Sequence, residues 1–125
     1  MMHSCFIKLN KEYKNLILIA VGAFPGALIR WQVNHDFFVN LLGAALLGFL
    51  MGLSCGRQVK LILGFGFCGA LTTFSGWIYD SAKLLKSGSF LNAFGLIFYM
   101  LGFGLLAAVC GLWLGKNFKF RGHLQ

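Results

Sequence analysis

The sequence predicts an all-α integral membrane protein with four transmembrane helices per subunit. Hydrophobic residues make up 58% of the 125 residues and charged residues only 11%, with a mean hydropathy of +0.78. Four apolar runs approach the roughly 20 residues that a spanning helix needs. The connections between these runs are short, so nothing is left for a soluble domain. A small soluble fold is excluded because it would not bury this much apolar surface.

The four predicted helices form a single membrane domain over residues 1–125. They cover about 16–33, 37–55, 61–79 and 90–115, with short tails at 1–15 and 116–125. The first run carries Arg30 near its end, whereas the other three contain no charge. A cleaved signal peptide is the alternative for the first run, because lysines precede it. The lack of an A-x-A cleavage site argues against it, as do Arg30 and Trp31, which continue the span.

The positive charges indicate how the chain is oriented. Lys and Arg number 11 against 3 Asp and Glu, giving a net charge of +8. They flank apolar runs without forming a basic face, so they are interpreted as lipid headgroup anchors, and no nucleic-acid partner is expected. Eight lie on the side of the two termini and the second loop, against three on the other: Arg30, Lys83 and Lys86. This bias predicts cytoplasmic termini in a multi-pass protein of the cell inner (plasma) membrane.

Small residues are spaced for close helix contact. Gly22 and Gly26 form a GxxxG pair, and Ala44 with Gly48 repeats that spacing in the second run. In lipid the hydrophobic effect does not drive helices together, so their association depends on van der Waals packing between closely approaching backbones. Four thin helices do not readily enclose a polar pathway alone, so we expect a homo- or hetero-oligomer, most simply a dimer.

Two polar residues lie within the predicted spans, where burying a polar group is costly. Arg30 either extends to the interface or acts as a cation that draws anions to a pore mouth or pins a loop. Asn40 either bonds a neighbouring helix or offers an amide donor to an anion. These alternatives stay open at the level of sequence.

The middle of the third run combines glycines with hydroxyl residues, namely Gly69, Thr72, Thr73, Ser75 and Gly76. Such residues weaken a helix, so we expect a break near the bilayer midplane. A break exposes carbonyls suited to a hard cation such as Na⁺, while hydroxyls, amides and positive ring edges suit an anion. Simple helix packing is the competing explanation.

Acidic residues are missing from the predicted spans, since Asp36 and Asp80 lie outside them. A small proton-coupled multidrug exporter needs a membrane-embedded acid, so that function is disfavoured. The sequence has no HExxH, nucleophile–base pair or phosphate loop, and we expect no enzyme.

Three motifs resemble the CrcB/Fluc fluoride channel family, over about residues 18 to 115. The segment from Gly22 to Trp31 is similar to GGxxGAxxR(Y) of the family's first helix, and Val39–Gly48 to VNxxGxxxxG of its second. The segment Gly66–Ser75 is similar to the signature GFCGGLTTFS, with Ala70 replacing the second glycine. The ten-residue signature is the most specific of the three.

The resemblance implies an antiparallel dimer with two fluoride pathways and a third helix broken at the signature. It implies that the backbone carbonyls of Gly69 and Thr72 hold a structural Na⁺ shared between subunits. Phe74 would turn a ring edge toward fluoride, and Asn40 and Ser75 would donate hydrogen bonds. Arg30 would lie near the vestibule. The implied role is passive export of cytoplasmic fluoride.

The chain departs from the family pattern near the signature and in the fourth helix. Gly76 and Trp77 stand where Thr and Phe are usual, and 90–115 contains Tyr99 but neither Ser nor Thr. Trp77 keeps a ring edge and adds an N–H donor, so it is retained as a pathway residue. The departures leave a second possibility, an assembly subunit that pairs with a paralogous chain. The multidrug-type exporter is the third.

Overall fold

The computed structural model describes residues 2–33, 35–53 and 55–122, and side chains within 10–33, 35–53 and 55–118. The described residues form helices joined by short non-helical segments and contain no strand. The helices are α1 Met2–Val33, α2 Asp36–Gly52, α3 Arg57–Val59, a π-helix Lys60–Cys68, α4 Gly69–Leu71, α5 Ser75–Lys86 and α6 Phe90–Gly122. Parts of the predicted tails, loops and second helix lie outside the described residues, namely Met1, Asn34, Ser54 and residues 123–125.

Three helical stretches are long and apolar enough to cross a membrane, namely Asn10–Val33, Arg57–Lys86 and Phe90–Phe118. The apolar α2 is shorter, with 17 residues, which at 1.5 Å per residue measure about 25 Å. Large apolar side chains point outward, including Leu91, Trp31 and Phe98 at 87%, 79% and 73% exposure. This pattern requires an apolar solvent, and the chain is a multi-pass membrane protein.

Glycines of α1 bring that helix against the π-helix. A Cβ at Gly22 would overlap the carbonyl of Ile62, and one at Gly26 would overlap the carbonyl of Phe67. The residue numbers rise together along both helices, so α1 and the π-helix run parallel. This confirms the close approach expected of the GxxxG pair.

A second parallel pair is formed by α2 and α6. A Cβ at Gly48 would overlap the carbonyl of Ala108, and one at Gly52 would lie 2.5 Å from the carbonyl oxygen of Leu112. On α6, small residues recur at Gly104, Ala108, Gly111 and Gly115 and form a stripe. A Cβ at Gly104 would meet no described residue within 4 Å. The stripe therefore packs against α2 only through its C-terminal part.

The third span is broken where the sequence predicts. Thr72 is extended, with φ −77° and ψ 151°, and α5 begins again at Ser75. The nine-residue π-helix before the break was not expected from the residues. Wide π turns are frequent at functional sites, and here only the short α4 separates the π-helix from the break.

The helices also differ in length from the predicted bounds. The α1 helix extends back to Met2 and α6 extends to Gly122, so most of both expected tails is helical. The α2 helix begins at Asp36 and ends at Gly52, instead of covering 37–55. Charged residues mark where an apolar run stops, but they are compatible with helix and do not end it by themselves.

The end of α5 illustrates this, because the helix passes Asp80 and stops before Gly88. Gly88 has φ 78°, which glycine adopts without steric cost. Its N–H donates to the Leu85 carbonyl at 3.1 Å, and the Ser89 N–H donates to the Leu84 carbonyl at 2.9 Å. This is a Schellman ending, so the turn residue, and not the charge at Asp80, decides where the helix ends.

Candidate functional site

The side chain of Asn40 holds the break in the third span. Its Nδ2 donates to the Thr73 carbonyl at 2.8 Å, and the Thr73 N–H donates to its Oδ1 at 2.7 Å. In a continuous helix the Thr73 N–H would donate to the carbonyl of Gly69. Asn40 diverts that donor, so the Gly69 carbonyl loses its helical partner. Of the two roles the sequence left open for Asn40, the interhelical hydrogen bond is present.

Thr73 is the centre of this arrangement, although the sequence did not single it out as a site residue. Its carbonyl also accepts a hydrogen bond from Trp77 Nε1 at 3.1 Å. Trp77 is buried, with 5% exposure, and its own carbonyl accepts the Ser81 hydroxyl at 2.8 Å. The indole N–H expected to face an anion is therefore engaged by the backbone.

Arg30 reaches the same break from the last turn of α1. Its guanidinium Nη1 donates to the Thr72 carbonyl at 3.3 Å. The Thr72 hydroxyl donates to the Cys68 carbonyl at 3.0 Å and lies 3.5 Å from the Gly69 carbonyl oxygen. The exposed Arg30 thus pins the broken segment and places a positive charge beside it.

The carbonyls of Gly69 and Thr72 have the chemistry of a hard-cation site. The Gly69 carbonyl is freed by the break, and a Cβ on Gly69 would meet no described residue within 4 Å. The Thr72 carbonyl keeps a second lone pair beside its bond to Arg30. Oxygens of unwound helices bind Na⁺ in other membrane proteins. Two oxygens make only part of the coordination shell of such a cation, so these residues alone do not complete a Na⁺ site.

Phe74 and Trp77 place an aromatic edge at the break. Their ring centroids are 4.8 Å apart at an interplanar angle of 77°, a T-shaped contact. Phe74 is 65% exposed. The exposed hydroxyl of Ser75 lies 3.3 Å from that of Thr73. Ring edges carry partial positive charge, so these groups together suit an anion.

An open cavity of about 260 Å³ lies over the break. Its walls come from α2, the broken segment and α6, through Asn40, Ala44, Thr72, Thr73, Phe74, Trp77, Met100 and Gly104. Four predicted site residues, Asn40, Thr72, Phe74 and Trp77, therefore line one cavity, whereas Arg30, Gly69 and Ser75 are not among its lining residues. The α6 wall offers Met100 and Gly104 and no hydroxyl.

Comparison with known proteins identifies similar chains. The sequence profile of the family described as CrcB-like protein, Camphor Resistance (CrcB), matches residues 17–112. The fluoride-specific ion channel FluC 2 of Synechococcus sp. (strain CC9902) is 48% identical over 116 residues, covering 89% of this chain and 87% of the relative. A FluC 1 of Prochlorococcus marinus is 42% identical over 118 residues, covering 94% and 95%. FluC 1 of Listeria monocytogenes is 35% identical over 114 residues, covering 81% and 97%.

Proposed function

Because the chain belongs to the CrcB family, we propose that it is a subunit of a fluoride-specific ion channel. It exports cytoplasmic fluoride passively and so lowers fluoride toxicity. The observation that carries the proposal is the cavity over the broken signature segment, walled by Asn40, Thr73 and Phe74. The relatives named as fluoride-specific channels support the same substrate. A transport role of this kind requires no catalytic residue.

Fluoride is small and strongly hydrated, so a narrow pathway must replace its water with donors. Asn40 Nδ2 donates one of its two hydrogens to the Thr73 carbonyl, and the second hydrogen is available to the ion. The hydroxyls of Thr73 and Ser75 add donors, and the exposed Phe74 adds a ring edge. Arg30 draws anions toward the break, because its guanidinium stays exposed at the Thr72 carbonyl.

Trp77 contributes to this pathway through its ring and its position. Its N–H holds the Thr73 carbonyl, which keeps the broken backbone open beside Asn40. Its ring meets Phe74 edge to face and restricts the orientation of the pathway ring. Trp77 is therefore a positioning residue that also lines the cavity.

Four spans per subunit are part of the proposal. The parallel pairing of α1 with the π-helix, and of α2 with α6, supports an alternating up-down-up-down chain. In such a chain the first and third spans point one way and the second and fourth the other. We place the protein in the inner membrane with both termini in the cytoplasm, following the Lys and Arg bias.

We further propose an antiparallel dimer around a structural Na⁺. The break leaves the Gly69 carbonyl without its helical N–H partner, and the described residues of one chain offer the oxygens of Gly69 and Thr72 to a cation. A second subunit would contribute the same two carbonyl oxygens, which would give the ion four protein ligands. When bound, the ion supplies a positive charge that ties the two broken helices together.

A heterodimer with a paralogous chain is the second candidate. The α6 wall of the cavity carries Met100 and Gly104 in place of hydroxyls, which weakens this chain's own pathway. The one-sided Lys and Arg distribution favours a single orientation, and an antiparallel pair then needs a companion with the opposite bias. Relatives numbered FluC 1 and FluC 2 support the existence of such companions.

The export role is tested in bacteria that lack their own fluoride exporter. Expression of this chain should restore growth in millimolar fluoride, whereas an equally expressed Asn40→Asp variant should not. If neither this chain alone nor this chain with its paralogue restores growth, the proposed role is wrong.

A further inference from the structure

The carboxylate of Asp36 is seated against the backbone of Gly76. Asp36 is the first residue of α2, and Gly76 is the second residue of α5. A Cβ at Gly76 would overlap the Asp36 carboxylate oxygen Oδ2 and lie 2.7 Å from its Cγ. The Asp36 carboxylate therefore occupies the space that a side chain at position 76 would take, and a larger residue there would require the carboxylate to move.

This contact lies at the end of the broken segment. Phe74 and Ser75 directly precede Gly76, and Asn40 is one helical turn beyond Asp36 on the same face of α2. Side chains four residues apart on a helix are separated by roughly 6 Å at Cβ. An anion held by Asn40 or Ser75 would therefore pass close to a fixed negative charge.

Two helix N-termini lie close to the Asp36 carboxylate. Asp36 lies in the first turn of its own helix and against the first turn of α5, and both helix N-termini favour a negative group. Phe74, which precedes α5, provides no side-chain hydrogen bond to the start of that helix. The guanidinium of Arg30 provides the opposite charge at the other end of the broken segment.

Resting on the proposed function, we propose that Asp36 limits the rate of fluoride passage through this chain. Its carboxylate repels the ion at the Asn40 end of the cavity, and Gly76 is the residue that admits it there. Two unit charges about 6 Å apart at an effective dielectric constant of about 20 lower occupancy by about 100-fold. The helix N-termini and Arg30 offset much of this, which leaves an effect of about tenfold.

The test is fluoride release from liposomes by the purified full chain, paired with its paralogue if it needs one. Asp36→Asn keeps the shape against Gly76 and removes the charge, so release should be about tenfold faster than in the wild type. Glu12→Gln is the matched control, because it removes a carboxylate from the exposed N-terminal part of α1. It should change release by less than about twofold.

The outcomes separate this inference from the function beneath it. Release by the wild type with an unchanged or slower Asp36→Asn variant would overturn the rate-limiting role alone. If Asp36→Asn does not fold, Asp36→Ser carries the same expectation, since it is smaller and uncharged. A wild type without any fluoride release would overturn both the inference and the proposed function.

Discussion

Asn40 and Thr73, 33 residues apart in sequence, are joined by two hydrogen bonds of 2.8 Å and 2.7 Å that use both ends of the amide. One bond takes the N–H that would otherwise close the helix on Gly69. The same side chain therefore keeps the third span open and presents a donor to the cavity. Both the break in the third span and the proposed contact with the ion therefore depend on Asn40.

Asn40→Asp should abolish fluoride release, with a loss of about 100-fold or more. The carboxylate repels the anion, and it also faces the Thr73 carbonyl with an acceptor in place of Nδ2. Asn92→Asp is the control, because Asn92 is exposed near the start of α6. Release rates of both variants are compared in liposomes. Unchanged release by Asn40→Asp with an ionised carboxylate would make Asn40 a purely structural residue.

Gly69→Val should reduce dimer formation, although valine has room within one chain. The loss would come from the partner or the shared Na⁺, since no described residue of this chain obstructs the new side chain. Thr72→Ser should stay within about twofold of wild-type release, because it keeps the hydroxyl bond to the Cys68 carbonyl. Size-exclusion chromatography with Na⁺ or a bulky organic cation measures the dimer. A Gly69→Val dimer as stable as wild type in both salts would contradict the shared site.

Trp77→Phe should slow release modestly, by up to about tenfold. The change removes the Nε1 bond to Thr73, a loss of about 1 kcal/mol, but keeps a ring against Phe74. Trp77→Ala removes both contacts and should lower the thermal stability as well as the release. If Trp77→Phe were as inactive as Trp77→Ala, the contact between this ring and Phe74 would contribute nothing, which contradicts the role given to the ring.

The orientation is measured with single cysteines in a chain whose four native cysteines are replaced. Asn10→Cys and Asn117→Cys mark the two terminal helices, and Ser87→Cys marks the turn after α5. With an impermeant thiol reagent on intact cells, only Ser87→Cys should react, as the charge bias predicts. Comparable labelling at all three positions would indicate dual insertion and favour a homodimer.

Residue types alone were sufficient to predict the break, because Gly, Thr and Ser weaken a helix wherever they cluster. They were not sufficient for the π-helix, which no residue in Lys60–Cys68 demands. Residue types also did not predict the hydrogen bonds that Asn40 and Trp77 make with Thr73, or the contact between Asp36 and Gly76. Both depend on how α2 aligns with the third span, and Asp36 was placed outside the spans because only its charge was considered.

The most direct test of the account is ion release from liposomes loaded with both fluoride and chloride. A potassium ionophore balances charge, and two ion-selective electrodes follow the anions in the same sample without ATP or a proton gradient. We predict rapid fluoride release with chloride retained, from this chain alone or with its paralogue. Equal release of both anions, or release of neither from either preparation, would contradict a fluoride-specific pathway at the broken helix.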